Sequence, residues 1–164
     1  MRICGVDPGI ARLGYALLKQ NGLKSEVESL GCLETPAGMP TPQRLHYLYG
    51  QLKKILTAQP QALAMEALFF NKNVRTALQV AEARGMVLLL CAELNVPVFE
   101  YTPPQVKQAV VGYGRAEKRQ VQLMLQQTLG LAALPHPDDA ADALAVAFCH
   151  AQVARFKRRL QPKE

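Results

Sequence analysis

Four acidic residues occupy positions where a carboxylate could take part in chemistry rather than only face solvent. Two of them end apolar runs: Asp7 follows Ile3-Cys4-Gly5-Val6, and Glu66 follows Leu63-Ala64-Met65. A carboxylate beside a buried strand is costly unless it is paired or bound to a cation. The simpler interpretations are that Asp7 forms a turn before Pro8-Gly9 and that Glu66 is a strand-end charge facing solvent.

The other two acids lie within residues 135–145, where Asp139 and Asp142 are separated by three positions. On a helix this spacing places both side chains on one face. Asp138 follows Pro137 and is a natural N-cap, and acids in a first turn complement the helix dipole. Capping accounts for Asp138 and could account for Asp139. It accounts less well for Asp142, which lies a turn further in among alanines whose small side chains leave room for something large.

A set of carboxylates without histidine or cysteine partners is typical of sites for hard cations such as Mg²⁺ or Mn²⁺. His46, His136 and His150 show no metal-ligand spacing. Two divalent ions about 3.5–4 Å apart can activate water and stabilise the leaving oxygen of a phosphodiester. Gly5 and Gly9 flank Asp7 and are expected to let a bulky ligand approach the backbone. The pattern therefore indicates a metal-dependent site for phosphodiester hydrolysis built from Asp7, Glu66, Asp139 and Asp142.

The positive charge of the chain is concentrated in two places. The formal net charge is +6, with five cations against one anion in residues 155–164 and four against one in residues 107–119. Such clusters suggest a polyanionic partner, although a basic tail can be merely solubilising. A basic surface would attract a phosphate, and metal in the acidic centre would let the site tolerate it. The two features fit a single explanation, a nuclease.

Cysteine usage and hydropathy suggest a cytoplasmic protein without membrane association. The cysteines lie in apolar stretches with no CxxC pair and are expected to be reduced and buried: Cys4, Cys32, Cys91 and Cys149. The first predicted strand begins at once, so no signal peptide is expected. The most apolar run, residues 86–92, is far too short to span a bilayer.

Apolar periodicity and turn signals predict the elements that must position these side chains. Strands are predicted at 2–7, 14–20, 24–34, 62–66 and 97–101, and helices at 41–58, 74–94, 103–111, 116–129 and 138–157. Asn21-Gly22 predicts a hairpin, and the later alternation of strands and helices predicts parallel crossovers. We expect one α/β domain at 1–154, a five-stranded mixed sheet with helices on both faces, followed by a basic tail at 155–164.

The motifs, taken in order, resemble the RuvC resolvases. They extend from residue 1 to about 150 and comprise Val6-Asp7-Pro8-Gly9 with Gly14, Met65-Glu66, Phe69 with Asn71-Lys72-Asn73, Gln105-Val106-Lys107-Gln108, Gly112-Tyr113-Gly114 with Ala116-Glu117-Lys118, and Asp139-Ala140-Ala141-Asp142-Ala143-Leu144-Ala145. Each motif alone is weak, but the ordered set is specific. The resemblance implies a ribonuclease-H-like homodimer that makes paired symmetric nicks in four-way DNA junctions during recombination and repair, with the RuvAB branch-migration complex as a partner.

The resemblance also implies roles for single residues. It assigns catalysis and the binding of two Mg²⁺ ions, with Mn²⁺ as a substitute, to the four carboxylates, and it places Lys107 and Lys118 near the cut, with Lys118 catalytic. Phe69 would stack at the junction centre, but the second aromatic Phe70 leaves open which ring stacks, and the extra acid Asp138 departs from the family pattern. The predicted DNA contacts are Phe69, Phe70, Lys72, Lys107, Arg115, Lys118 and Arg119. The plainer alternatives are solvated lysines and core phenylalanines.

Two other functions share part of the pattern. Asp7-x-Gly9-x4-Gly14 also resembles the phosphate-binding turn of actin-like ATPases and sugar kinases, but those enzymes need two related domains and 164 residues supply one. A catalytically inert junction-binding module is the second alternative, although four acids beside phosphate would not help it bind. The helix predicted at 74–94 has an apolar stripe (Val74, Ala77, Leu78, Ala81, Val87, Leu88) that either packs only in the core or also reaches a partner subunit.

Overall fold

The computed structural model of the protein describes residues 1–68 and 74–160. These residues form five strands and five helices, as predicted, and most boundaries agree; the others differ by one to three residues. The strands are β1 (Arg2–Asp7), β2 (Arg12–Asn21), β3 (Lys24–Glu34), β4 (Ala62–Glu66) and β5 (Val98–Tyr101). The helices are α1 (Thr41–Leu56), α2 (Val74–Glu93), α3 (Pro103–Val111), α4 (Lys118–Leu129) and α5 (Asp138–Leu160).

The five strands form one mixed sheet in the order β3-β2-β1-β4-β5. Strands β1, β2 and β3 pair antiparallel, whereas β1–β4 and β4–β5 pair parallel. The hairpin predicted at Asn21-Gly22 joins β2 to β3, and Gly22 has a φ of 58°, which glycine adopts without steric cost. The predicted mixed sheet is confirmed.

Each face of the sheet is covered by its own set of helices. Ile3, Ala16 and Ala64 pack with α3, α4 and α5, whereas Cys4 and Leu63 pack with α1 and α2 on the opposite face. Side chains alternate between the faces of a strand. The side chains that end β1 and β4, four positions after Ile3 and two after Ala64, therefore point toward the α5 face.

Helix α5 lies unusually close to the sheet because glycines face it. A Cβ on Gly5 would lie 1.9 Å from the carbonyl oxygen of Ala143, and a Cβ on Gly14 would lie 1.9 Å from that of Asp139. A side chain at either position would push the helix away. The expectation that Gly5 makes room for a ligand is wrong, because its space is filled by α5. At Gly9 the backbone oxygen of Arg12, 2.4 Å from a built Cβ, fills that space as well.

The alanines of α5 are also packed, so they leave no room for a ligand: Ala140, Ala141, Ala143, Ala145 and Ala147 are at most 3% exposed. The helix begins at Asp138, so Asp138 lies in the first turn and is not the N-cap; the Pro137 carbonyl accepts hydrogen bonds from the Ala140 and Ala141 N–H groups. At its other end α5 extends to Leu160, so the first six residues of the segment 155–164 are helical. Among the described residues, none of the helices combines the length and apolar character needed to cross a bilayer.

Candidate active site

The strand register brings Asp7 and Glu66 to the same edge of the sheet. Val6 pairs with Met65 in the parallel ladder, so the acids that follow them end neighbouring strands side by side. Both acids are partly buried and line a cleft of about 230 Å³. The carboxyl ends of parallel strands are where reactive groups collect in open α/β sheets. The two acids that the sequence placed at strand ends are therefore brought together.

The N-terminal turns of α5 bring Asp139 and Asp142 to the same edge. Gly14 pairs with Asp7 in the antiparallel ladder of β1 and β2, and it is Gly14 that contacts the main chain of Asp139. The side chains of Asp139 and Asp142 are 30% and 40% exposed. Two strands and one helix thus converge on a single acidic cluster, formed by Asp7, Glu66, Asp139 and Asp142.

The ionisation of Asp7 and Glu66 is strongly affected by this arrangement. The pKa of Asp7 is raised from 3.8 to about 7, first by burial and then by the negative charges of Asp142, Asp139 and Glu66, with an opposing effect of Lys118. Burial followed by the charge of Asp142 also raises the pKa of Glu66, while Lys107 and Lys118 oppose the rise. Asp7 is therefore within electrostatic range of the other three carboxylates.

Two cations compensate part of the negative charge. The Nε of Arg12 lies 3.0 Å from Oδ2 of Asp139, and the Nζ of Lys118 donates a hydrogen bond to Oδ2 of Asp142 at 2.8 Å. Burial lowers the pKa of Lys118, but its hydrogen bonds to Asp142 and Asp138 and their charges outweigh this, so the pKa is raised. Lys118 was predicted at the site, whereas Arg12 was missed. A cation at the start of the strand paired with β1 is the signal that could have identified it.

The oxygen donors of the four carboxylates suit a hard divalent cation, but their side chains are not already arranged around an ion position. Oxygen donors from carboxylates are what Mg²⁺ and Mn²⁺ prefer. Within residues 1–68 and 74–160, however, no three acidic, histidine or cysteine side chains are grouped closely enough to hold an ion. Asp139 and Asp142 are instead occupied by Arg12 and Lys118. A cation that binds all four carboxylates would compete with Arg12 and Lys118 for these two aspartates.

The predicted DNA-contacting residues differ in exposure and in their electrostatic effect on the acidic cluster. Lys107 is partly buried on α3 and acts electrostatically on Glu66, whereas Arg115 and Arg119 are exposed before and within the first turn of α4. Phe69, Phe70 and Lys72, with the neighbouring Asn71 and Asn73, lie outside the described residues. The assignment of all these residues to DNA stays a prediction.

The extra acid Asp138 faces a neighbouring helix. Its Oδ2 lies 3.3 Å from Nζ of Lys118, and its Oδ1 accepts a hydrogen bond from Nε2 of Gln122 at 3.2 Å. Its side chain is 69% exposed. Asp138 therefore joins α5 to α4 and does not enter the acidic cluster.

Comparisons with known proteins agree on one family. A family model described as crossover junction endodeoxyribonuclease RuvC matches residues 3–150. A protein of that description from Chloroflexus aggregans is 54% identical over 97% of this chain and 98% of the relative. One from Pelotomaculum thermopropionicum is 50% identical over 99% of this chain and 100% of the relative. The structure of Thermus thermophilus RuvC in complex with Holliday junction substrate is 37% identical, with a TM-score of 0.90 over 96% of both chains.

The raised pKa of Asp7 predicts an unusual stability profile for the metal-free protein. In the folded state Asp7 keeps its proton up to about pH 7, whereas the unfolded chain loses it near 3.8. The free energy of unfolding contributed by this group therefore falls as pH rises between these values, and the loss is complete above pH 7. Asp7→Asn removes the ionisation. In urea unfolding with EDTA at pH 8, we expect the variant to be more stable than the wild type by roughly 1–3 kcal/mol.

The advantage should shrink at pH 5, because the folded wild type is then protonated at Asp7. Comparison with the variant is necessary, because buried His150, whose pKa is lowered to about 4 by burial and then by Lys157, makes its own contribution below pH 6.5. Glu26→Gln, at an exposed acid of β3, is the control and should give no pH-dependent gain. An Asp7→Asn protein that is no more stable than wild type at pH 8 contradicts the electrostatic account.

Proposed function

The chain belongs to the RuvC family of crossover junction endodeoxyribonucleases, and from this premise we propose that it resolves four-way DNA junctions by paired, symmetric hydrolysis of phosphodiester bonds during recombination and repair. The observation that most directly supports the proposal is the convergence of Asp7, Glu66, Asp139 and Asp142 at one edge of the sheet. The junction substrate bound by the T. thermophilus relative supports the same choice of DNA.

We propose that the four carboxylates hold two Mg²⁺ ions, for which Mn²⁺ can substitute. Bound ions of this kind supply Lewis acidity and an activated water for phosphodiester hydrolysis. The chain's own part is to present oxygen donors from rigid elements: Asp7 and Glu66 from strand ends, Asp139 and Asp142 from one helix face. The pKa values of Asp7 and Glu66 are raised because their ionised forms are unfavourable in this site. A bound cation would therefore stabilise the ionised carboxylates most.

The neighbouring lysines and arginines would bind and polarise the phosphate. Lys118 Nζ lies 2.8 Å from Asp142, so it is within reach of a phosphate at the acidic cluster, where its charge would stabilise the negative charge that develops during hydrolysis. Lys107 adds charge beside Glu66, and exposed Arg115 and Arg119 are placed to contact phosphates further along the strand. Phe69, Phe70 and Lys72 follow Glu66 closely in sequence, and we assign them to DNA binding on the sequence pattern alone, with one of the two phenylalanine rings stacking at the junction centre.

We further propose a homodimer, because a junction needs two opposed cuts and one domain has one acidic cluster. A two-fold axis would place two identical sites on two strands. Helix α2 has a face suited to this role: Leu78 is 60% exposed, Leu89 is 59% exposed, and Gly85 between them has open space around it. Their spacing places them on one side of the helix. Val87 of the predicted stripe is buried in the core, so the helix uses separate faces for core and partner.

We also propose a protein partner and a cellular location. Family membership suggests the RuvAB branch-migration complex as a partner. All four cysteines are free, three of them buried, which fits the reducing conditions of the cytoplasm.

Cleavage of a synthetic four-way junction with Mg²⁺ tests the function directly. We expect Asp7→Asn to bind the junction and retain its fold but to cut at least about 1,000-fold more slowly, because a neutral amide cannot replace an anionic metal ligand. The matched pair Asp139→Asn and Asp138→Asn tests the assignment on α5: the first should lose cleavage and the second should keep it. Near-normal cutting by Asp7→Asn would contradict the assignment of Asp7 as a metal ligand. A wild-type protein that binds the junction but does not cut it would favour the inert binding module.

The two lysines are distinguished by single-turnover cleavage with enzyme in excess, beside a salt titration of junction affinity. If a lysine only contacts phosphate, its alanine variant should bind more weakly, with a salt slope reduced by about one unit. If it stabilises developing charge, binding persists while the cutting rate of bound junction falls. We expect the second result for Lys118→Ala and a mixture for Lys107→Ala. If both alanine variants cut and bind the junction as the wild type does, the two lysines have no role in the site, which then consists of the carboxylates alone.

Light scattering tests the dimer. We expect the wild type to have the mass of two chains and Leu89→Glu to have the mass of one, because a charge in the centre of an apolar interface loses its hydration. Leu23→Glu is the control, since Leu23 is 69% exposed in the β2–β3 turn, away from the proposed interface. A wild-type protein that is monomeric both with and without junction DNA would contradict the proposal.

A further inference from the structure

Arg84 on α2 is a buried cation whose guanidinium joins three elements near the acidic cluster. Its residue is only 7% exposed. The Nη1 atom lies 2.9 Å from the carbonyl oxygen of Glu66 and 2.9 Å from Sδ of Met65, both on β4. The Nη2 atom forms an ion pair with Glu100 on β5. Arg84 also lines the cleft that contains Asp7 and Glu66.

The contact with Glu66 is made to the main chain, at the point where β4 ends. On the other side of the same peptide unit, the N–H of Ala67 donates a hydrogen bond to the carbonyl oxygen of Tyr101 at 2.9 Å. The peptide that follows Glu66 is therefore held at both its oxygen and its nitrogen. These two bonds fix the main chain at Glu66 and so the direction in which its side chain leaves the strand.

A structural role alone explains these contacts poorly. A guanidinium is costly to bury without partners, and replacing a buried ion pair by apolar side chains is often neutral or stabilising. The side chain of Glu100 is 46% exposed and could be satisfied by water. Among the described residues, Arg84 alone supplies a charged donor at the carbonyl of Glu66, next to the carboxylate proposed to bind metal.

We propose that Arg84 is a positioning residue that fixes the carboxylate of Glu66 for divalent metal through the main-chain carbonyl of Glu66. The proposal rests on the proposed function, because it gives Glu66 its role in metal binding. It adds a residue of α2, a helix that carries none of the four carboxylates, to the machinery of the site. Residues that orient metal ligands commonly change metal affinity by 10–100-fold when removed.

The test measures Mn²⁺ binding to the free protein by electron paramagnetic resonance, together with the melting temperature. Arg84→Met keeps the apolar stem but removes the donors, and we expect it to weaken Mn²⁺ binding by about tenfold. Glu100→Gln leaves the bond from Arg84 to Glu66 in place and should change affinity less than threefold. Leu52→Ala, fully buried on α1, should lower the melting temperature without changing Mn²⁺ affinity.

An Arg84→Met protein that binds Mn²⁺ within twofold of wild type overturns the proposal, as does an equal loss of affinity in Leu52→Ala, which would mean that general destabilisation is the cause. If Arg84→Met does not fold, Arg84→Gln, whose shorter amide cannot span the same distance, is judged by the same criterion. Failure of the proposed function gives a different result, since the wild type itself would then neither bind Mn²⁺ at the acidic cluster nor cut a junction.

Discussion

Repulsion among four carboxylates at one edge of the sheet is the constraint on which the rest of the structure depends. The pKa of Asp7, raised to about 7 by burial and by its acidic neighbours, shows how unfavourable the ionised cluster is without added positive charge. Arg12 and Lys118 offset part of this by pairing with the two aspartates of α5. Further positive charge at the cluster would relieve the remaining repulsion, and the net charge of +6 favours the approach of a polyanion to the chain.

Holding like charges together requires a rigid frame, and the frame is the contact between α5 and the sheet. Gly5 and Gly14 allow backbone to approach backbone, and small buried alanines on α5 complete the packing. The helix N-terminus adds a favourable dipole for the acids of its first turn. Core packing between α5 and the sheet therefore holds the carboxylates together against their mutual repulsion. Functional sites commonly lower the stability of a protein in this way.

The sequence was sufficient for elements whose local signals are strong. The bounds of β4 and α3 agree with prediction, because an apolar run between turn signals defines the first and Thr102 with Gln105 caps the second. Helix α4 begins two residues later than predicted, since Glu117 adopts an extended conformation and donates its N–H to the side chain of Gln120. Local patterns did not distinguish a capped start from a helical one at Ala116.

Tertiary partners were the part that the sequence could not provide. The carboxylates were identifiable because each interrupts an apolar pattern, but Arg12 and Arg84 acquire their significance only from strand register and from the packing of α2. For the same reason we expected Gly5 to make room for a ligand, whereas helix α5 occupies the space beside it. A one-dimensional pattern shows that a position is special without showing which distant group makes it so.

Anomalous diffraction from crystals containing Mn²⁺ and junction DNA shows directly whether the four carboxylates form one divalent-cation site. We expect anomalous peaks within coordination distance of oxygens of Asp7, Glu66 and the α5 aspartates, with Arg12 and Lys118 turned away from Asp139 and Asp142. Crystals in which Mn²⁺ binds elsewhere, while Arg12–Asp139 and Lys118–Asp142 remain paired beside the scissile phosphate, would contradict it.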